Sequence, residues 1–257
     1  MISITAVVPT FDRPDLLVKA VASILRQSSP ADEVIVVDNG TAPVPIGLLP
    51  SDVQLLRIAP RAGVSAARNA GASAARSDYV AFLDDDDRWD DRYLEEIRSA
   101  MDRHDESADV ILARKDREVD GLVAPYKEIT SLTGLRDLLM VKNPGIGGQN
   151  IVVRREFFAT IKGFRSALHG PEDRALLVDA IDHDAVIVLA PCAIAVKVIH
   201  PGEQITDGAR SLQSTWRYLR FYWSSMSTWQ RRRNLRRLAR ALRYSAGRRL
   251  GPSSSSK

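Results

Sequence analysis

The chain has 257 residues, of which 45% are hydrophobic and 26% charged, a composition typical of globular proteins. It is therefore not disordered throughout, and its single cysteine, Cys192, excludes an intramolecular disulfide and a multi-cysteine metal site. One cysteine favours a reducing, cytoplasmic location. We find no apolar run of the roughly 20 residues that a spanning helix needs, and the apolar start lacks the basic residues of a signal peptide.

Charge is distributed unevenly along the chain. Residues 208–257 contain 12 Arg and 1 Lys and no acidic residue, whereas residues 1–207 contain 23 basic and 32 acidic residues. The first region thus carries a net charge of −9 and the second +13. Such a split indicates an acidic body with an appendage that faces a polyanion or a membrane surface.

Residues 1–90 alternate between short apolar strands and helices. Strands are predicted at 4–8, 33–37, 53–58 and 79–83, and helices at 14–25 and 63–75. Pro14 suits a first helical turn, which Asp12 is expected to cap. Strands and helices joined by short links predict a mostly parallel sheet with crossover helices.

Residues 91–207 form a more mixed second region. Helices are predicted at 93–101, 155–161 and 172–181, a strand at 151–153, and one or two strands within 186–198. The glycine-rich segment 145–148 is expected to be a flexible loop. Residues 208–257 make a third region, a helical, basic and aromatic tail.

Four consecutive aspartates, residues 84–87, follow the strand at 79–83. Adjacent carboxylates repel one another, so they are tolerated in water, beside basic groups or around a cation. Open α/β sheets bind ligands at the carboxyl ends of their strands, and carboxylate oxygens suit Mg²⁺ or Mn²⁺. Residues 10–13 and 38–40 are expected at the same edge, with Arg68 one turn into a helix. This collection fits a nucleoside diphosphate, and a solvated acidic turn is the alternative.

Four segments resemble the GT-A glycosyltransferases of family 2: VVPTFDR at 7–13, VVDNGT at 36–41, GVSAARNAG at 63–71 and FLDDDD at 82–87. Their order and spacing are similar to the family's across residues 3–90. The resemblance implies a Rossmann-like α/β fold with a mostly parallel sheet and flanking helices. It also implies a nucleotide-sugar donor, most often a UDP-sugar, and a divalent cation, Mn²⁺ or Mg²⁺.

The same resemblance assigns residues to the donor site. The residues implied to bind the donor are Thr10, Arg13, Asp38, Arg68, Asp84 and Asp85. Asp84 and Asp86 match the two aspartates of the family's DxD motif, with Asp86 the expected direct metal ligand. Asn39 departs from the family, which usually has an aspartate there, so one acceptor of the nucleoside pocket is missing.

The second region continues the resemblance. Residues 147–155 and 163–164 are similar to the stretch before the family's acidic pair, which Glu172 and Asp173 match at a helix start. The resemblance makes Asp173 the general base, and an acceptor hydroxyl does need a carboxylate to take its proton. A favourable helix N-terminus is the alternative role for the pair. In some relatives a histidine in the region of His200 completes the metal site; a structural histidine is the alternative.

The tail has a pattern of its own. Trp216, Leu219, Trp223 and Met226 follow helical spacing, and arginines flank the leucines further on. This pattern is typical of a basic amphipathic helix at an anionic membrane surface, and we expect residues 216–250 to bind one. The alternatives are a helix packed on the acidic body, within one chain or across a homodimer, and nucleic-acid binding.

These observations predict a metal-dependent, inverting glycosyltransferase. It would move a sugar from a nucleotide-sugar to a hydroxyl of a glycan or lipid-linked acceptor in cell-envelope polysaccharide synthesis, in the cytoplasm or at the inner face of the membrane. A haloacid-dehalogenase-type phosphatase is one alternative, but it needs a nucleophilic Asp84 and downstream motifs that the sequence does not supply. An RNA-binding protein is the other; its acidic strand-end cluster would repel phosphates, so no nucleic acid is expected.

Overall fold

The computed structural model describes residues 2–104, 108–168, 170–199 and 208–249, with the backbone alone for 208–211 and 241–249. The strands are β1 Ile4–Thr10, β2 Glu33–Asp38, β3 Gln54–Arg57, β4 Tyr79–Phe82, β5 Arg88–Trp89, β6 Val110–Val119, β7 Leu122–Lys127, β8 Ile151–Arg154 and β9 Ile187–Ile199. The helices are α1 Pro14–Leu25, α2 Val64–Ala74, α3 Tyr93–Asp102, α4 Leu135–Val141, α5 Arg155–Thr160, α6 Glu172–Asp182, α7 Gly208–Tyr222 and α8 Thr228–Arg249.

The described strands form one sheet in the order β3-β2-β1-β4-β8-β6-β9-β5, with β7 paired to β6. The first four strands are parallel, as predicted. β8 runs antiparallel to both β4 and β6. The parallel register sets Thr10 beside Asp38 and Val7 beside Phe82. The carboxyl ends of β1, β2 and β4 therefore meet at one edge, which is where the site residues were expected.

Strand β1 shows how the sheet is buried on both faces. Ile4, Ala6 and Val8 belong to a core packed with residues of α1 and α3, while Val7 belongs to a second core that includes residues of α2, α5, α6 and α7. All seven residues of β1 are buried. This explains why the strand is an almost continuous apolar run instead of an alternating one.

Three local predictions differ from the structure. Asp12 does not cap α1; its carboxylate accepts hydrogen bonds from the amide and the hydroxyl of Thr41, each at 2.7 Å. Segment 145–148 is buried and is held by Asn143, whose Oδ1 accepts from the amides of Gly145 and Ile146. The hairpin of β6 and β7 is absent from the prediction because its charged residues resemble a surface loop.

Helices α7 and α8 pack against the body of the protein. Tyr218, Leu219, Tyr222 and Met226 are at most 4% exposed and lie in the same core as α6. The Tyr218 hydroxyl donates to the carbonyl oxygen of Leu139 at 3.1 Å. One face of α7 and α8 is therefore part of the protein core, which agrees with the alternative that the tail packs on the body of its own chain.

Candidate active site

The end of β1 is tied to the aspartate run. Thr10 Oγ1 donates to Asp85 Oδ2 at 2.8 Å, and the Phe11 amide donates to the same oxygen at 3.3 Å. Arg13 contacts Asp85 at 3.4 Å and Asp86 at 2.9 Å. Burial raises the pKa of Asp85 to about 6, with the Thr10 hydrogen bond acting against it. Asp85 thus fixes the β1 loop beside the aspartates, and its contact with a donor stays a prediction.

The end of β2 forms a compact turn. Asp38 is 1% exposed, accepts from the amides of Gly40 at 2.8 Å and Val44 at 3.0 Å, and pairs with Arg57. Asn39 Nδ2 donates to the Thr10 carbonyl oxygen at 2.8 Å. An aspartate cannot donate this bond when it is ionised. The amide therefore ties the two strand ends together at the position where the family usually has a carboxylate.

Three of the four aspartates offer a cation site. Asp84, Asp86 and Asp87 each present one carboxylate oxygen, and these oxygens lie within 4.8 Å of one another. Asp87 is buried; its carboxylate accepts from Gln149 Nε2 at 2.8 Å and from the Val198 amide at 3.0 Å. Burial, reinforced by Asp84 and Asp86, raises its pKa well above the ordinary value. Such an all-oxygen set of clustered charge fits Mg²⁺ or Mn²⁺.

Asp87 was not among the predicted ligands, because alternate residues of a DxD motif were expected to bind the metal. His200 was among them, but it lies outside the described residues. Its predicted role therefore stays a prediction.

Arg68 connects the aspartate run to the acidic pair. Its guanidinium contacts Asp84 at 2.5 Å, Asp173 at 2.9 Å and Glu172 at 3.4 Å, and it is 2% exposed. The Phe164 ring lies beneath it, 5.1 Å away. Burial alone would lower the pKa of Arg68, but the three carboxylates hold it above its ordinary value. Residues predicted from two distant segments are thus joined around one buried cation.

Asp173 is positioned in the first turn of α6. Burial raises its pKa to about 7, while Arg68 acts to lower it and Glu172 and Asp84 act to raise it. A base whose pKa lies near the working pH is well matched to take a proton. Glu172 also accepts a hydrogen bond from the Gly170 amide at 2.6 Å, which fixes the start of the helix.

A glycine pair, Gly147 and Gly148, packs closely against charged and polar side chains of the site. A Cβ at Gly148 would lie 2.4 Å from Arg68 Nη2, and a Cβ at Gly147 would lie 2.2 Å from Gln149 Oε1 and 3.0 Å from Lys115 Nζ. Only glycine lets the backbone approach these groups so closely. Gln149 and Lys115 were not among the predicted site residues. A glutamine after two glycines and a lysine within a charged segment are both too common to identify a site.

The tail presents a second face to solvent. Trp216 and Trp229 are 54% and 58% exposed, and Phe221, Trp223 and Leu235 are also exposed. Arg231 and Arg233 lie over the rings of Trp223 and Trp229. The single stripe predicted from Trp216, Leu219, Trp223 and Met226 is split between the two faces, because Leu219 and Met226 enter the core. Among the described helices, none combines the length and apolarity that crossing a bilayer requires.

The α/β sheet with its flanking helices matches the GT-A glycosyltransferase fold. Residues 5–162 match the family model for glycosyl transferase family 2. This match covers more than half of the chain, so the chain belongs to glycosyl transferase family 2. The predicted family and fold class are confirmed, and membership favours a glycosyltransferase over the phosphatase and RNA-binding alternatives.

Two similar proteins are named for the biosynthesis of succinoglycan and amylovoran. The chain is 27% identical over 223 residues to the succinoglycan biosynthesis protein ExoW of Rhizobium meliloti (strain 1021), a match that covers 77% of this chain and 69% of ExoW. It is 25% identical to the amylovoran biosynthesis glycosyltransferase AmsB of Erwinia amylovora, over 79% of this chain and 72% of AmsB.

Solved structures share the fold. Residues 1–349 of S. aureus TarS, in complex with UDP-GlcNAc, superimpose with a TM-score of 0.61 at 18% identity, covering 84% of this chain and 66% of that one. A longer TarS structure gives a TM-score of 0.62 at 18% identity over 83% of this chain, which spans 38% of that chain.

Proposed function

We propose that this protein is a metal-dependent, inverting glycosyltransferase that uses a UDP-sugar. The observation that carries the proposal is the Arg68 cluster, in which a buried cation joins Asp84 of the strand-end aspartates to Asp173 of the acidic pair. Sugar transfer needs carboxylates that hold the metal-bound donor close to a carboxylate that takes the proton of the acceptor. The UDP-GlcNAc complex of the related TarS fold supports a UDP-sugar as donor.

The donor would bind at the carboxyl ends of β1, β2 and β4. Thr10, Arg13 and Asp38 lie at these ends and are proposed to surround the nucleoside. Asp84, Asp86 and Asp87 would hold a divalent cation, Mn²⁺ or Mg²⁺, whose charge would neutralise the diphosphate as it leaves. Arg68 is engaged with three carboxylates, so its proposed role is to position them and to add positive charge beside the diphosphate.

Asp173 is proposed to act as the general base. Its carboxylate takes the proton of the acceptor hydroxyl while that oxygen attacks the anomeric carbon from the face opposite the leaving diphosphate. The bond to the diphosphate oxygen breaks as the new glycosidic bond forms, so configuration inverts. Arg68 holds Asp173 in place and keeps its pKa from rising further with burial.

The substitution Asp173→Asn tests this role, because it keeps the shape and removes the basicity. A positioned base contributes about 10²–10⁴-fold in rate, so kcat should fall by that order while UDP affinity stays near wild type. An α-linked UDP-hexose should give a β-linked product, which NMR of the product reads directly. Full turnover in the variant, loss of UDP binding instead, or retained configuration would refute the assignment.

The acceptor is proposed to be a glycan or lipid-linked sugar of an extracellular polysaccharide. The names of ExoW and AmsB place them in succinoglycan and amylovoran biosynthesis, and both proteins align with more than three quarters of this chain, which supports this proposal. The proposed location is the cytoplasm or the inner face of the membrane.

We further propose that the outer face of α7 and α8 binds an anionic membrane surface. This face presents Trp216, Phe221, Trp223, Trp229 and Leu235. Among the described side chains of 212–240, no arginine is paired with a carboxylate, so the basic charge is not neutralised by the body. Exposed tryptophan beside unneutralised arginine suits the lipid headgroup region.

Co-sedimentation with vesicles tests this surface. The full chain should sediment with phosphatidylcholine vesicles that contain phosphatidylglycerol at low salt, and less at high salt. Replacing Trp216 and Trp229 by Ser should reduce binding several-fold, whereas Leu122→Ser, at an exposed apolar residue of β7, should not. A full chain that stays in the supernatant at low salt would refute the proposal. Truncation before α7 would not test membrane binding alone, because it also removes core residues such as Tyr218 and Tyr222.

A further inference from the structure

Lys115 is a buried cation that the proposed chemistry leaves unused. It lies on β6, is 6% exposed, and is directed toward the Gly147 backbone. Within the described part of the chain, no carboxylate or carbonyl oxygen accepts a hydrogen bond or forms an ion pair with its ammonium group. Buried lysines are rare unless they are paired, so an unpaired one beside a catalytic centre calls for a partner from outside the protein.

The three carboxylates that raise the pKa of Lys115 already have other partners. Asp173 and Asp84 bind Arg68, and Asp87 accepts from Gln149 and Val198. Burial lowers the pKa of Lys115 to about 8, with Asp173 acting to raise it, so the group remains mostly charged at neutral pH. Lys115 borders Gly147, and the next residue, Gly148, borders Arg68, the partner of Asp173, so Lys115 lies on the side of the site where the proposed base acts.

Further cations share this face of the sheet. In the β6–β9 register Lys115 lies beside Ala195 and Arg117 beside Lys197, and residues two apart on a strand share a face. Both Lys115 and Arg117 approach the Tyr126 ring of β7, at 5.9 Å and 5.6 Å. The cationic cluster, Lys115 with Arg117 and Lys197, therefore runs from the buried site toward solvent.

Gln149 supplies a complementary group. Its Nε2 donates to Asp87, which fixes the amide, and its Oε1 is buried without a hydrogen-bond partner. Both Gln149 Oε1 and Lys115 Nζ border the space that a side chain at Gly147 would occupy. An unpaired acceptor and an unpaired cation thus pack against the same side of Gly147.

We propose that the cationic cluster and Gln149 form a subsite for a sugar with a negatively charged substituent, a carboxylate or a phosphate. The anionic group would pair with Lys115, and an adjacent hydroxyl of the same sugar would donate to Gln149 Oε1. The inference rests on the proposed transferase function and names the chemical class of its substrate. Because the glycine pair connects Lys115 to the Arg68–Asp173 ion pair, the acceptor is the expected bearer of the charge.

Ligand-observed NMR titration of the full chain with UDP and Mn²⁺ tests the subsite. The probes are methyl β-glucuronide, methyl β-glucoside 6-phosphate and the neutral methyl β-glucoside. We expect at least one anionic glycoside to bind about tenfold more tightly than the neutral one, as a charge-assisted hydrogen bond allows. Lys115→Met should abolish that preference and leave UDP affinity unchanged, and the exposed-surface control Lys19→Met should keep it.

Other outcomes separate the alternatives. A preference for UDP-glucuronate over UDP-glucose that Lys115→Met removes would support the subsite and assign the charge to the donor. Equal binding of all three glycosides together with no preference for UDP-glucuronate would overturn the proposal. Equal weakening of all three glycosides by Lys115→Met would also overturn it, as would loss of UDP affinity, which would assign Lys115 to the diphosphate. If Lys115→Met does not fold, Arg117→Gln and Lys197→Gln should each weaken only the anionic probe by about threefold. Absence of UDP binding to wild type would instead refute the proposed function.

Discussion

Removing the charge of Arg68 should move the pH dependence of the enzyme. Arg68 Nη1 lies 2.9 Å from Asp173 Oδ1. Unit charges 4 Å apart attract by about 4 kcal/mol at an effective dielectric constant near 20. One pKa unit corresponds to about 1.4 kcal/mol, so loss of half that attraction raises the pKa of Asp173 by roughly 1.5 units. The base must be deprotonated to act, so activity falls as the pH drops through this pKa.

The assay is the pH profile of kcat/KM for UDP release from the best UDP-hexose. The midpoint of the acidic limb should lie near pH 7 in wild type and roughly 1.5 units higher in Arg68→Met. The control Arg154→Met removes an arginine that pairs with Asp109, far from the site, and should leave the midpoint unchanged. An unshifted midpoint in Arg68→Met would refute the electrostatic role of Arg68. Uncompensated buried charge costs about 3–5 kcal/mol, so Arg68→Met could unfold the protein. In that case Arg68→Gln, which also removes the charge but keeps hydrogen-bond donors for the carboxylates, serves as the second variant.

Two further substitutions test the close approaches at the site by urea unfolding. Gly148→Ala places a Cβ 2.4 Å from Arg68, so it should lower the free energy of unfolding by about 1–3 kcal/mol and reduce kcat. The control is Gly121→Ala, where the added Cβ meets open space but the backbone φ is positive. It should lower the free energy of unfolding by about 1 kcal/mol and leave kcat unchanged. Equal effects would show that loss of glycine alone is responsible. Asn39→Asp removes the hydrogen bond to the Thr10 carbonyl oxygen and should lower the free energy of unfolding by about 1–3 kcal/mol. Unchanged stability would contradict the structural role of the Asn39 amide.

The sequence predicted the edge at which the site lies. Short β–α–β links force parallel strands, so Thr10, Asp38 and Asp84 had to follow strands that end on the same side. The position of Asp173 at a helix start was predicted too, but its distance from Arg68 depends on how α6 packs, which sequence spacing does not determine.

The parts that were missed depend on tertiary packing. In β6 the residues Arg114, Lys115 and Asp116 resemble a surface loop, yet Lys115 is buried because Tyr126 of β7 and the Gly147 backbone pack against it. The loop at 145–148 resembles a flexible linker because glycine favours flexibility in isolation. Here it is ordered by Asn143 and Asn150, whose side chains satisfy its backbone amides.

Calorimetric titration of UDP with and without Mn²⁺ shows whether the aspartate cluster binds a nucleotide through a divalent cation. Wild type and the control Asp52→Asn, at an exposed surface residue, should bind UDP in Mn²⁺ and lose most of that affinity in EDTA. Asp86→Asn should bind UDP weakly in both conditions. UDP affinity that is equal in Mn²⁺ and in EDTA, or equal in wild type and Asp86→Asn, would contradict metal-dependent nucleotide binding by this cluster.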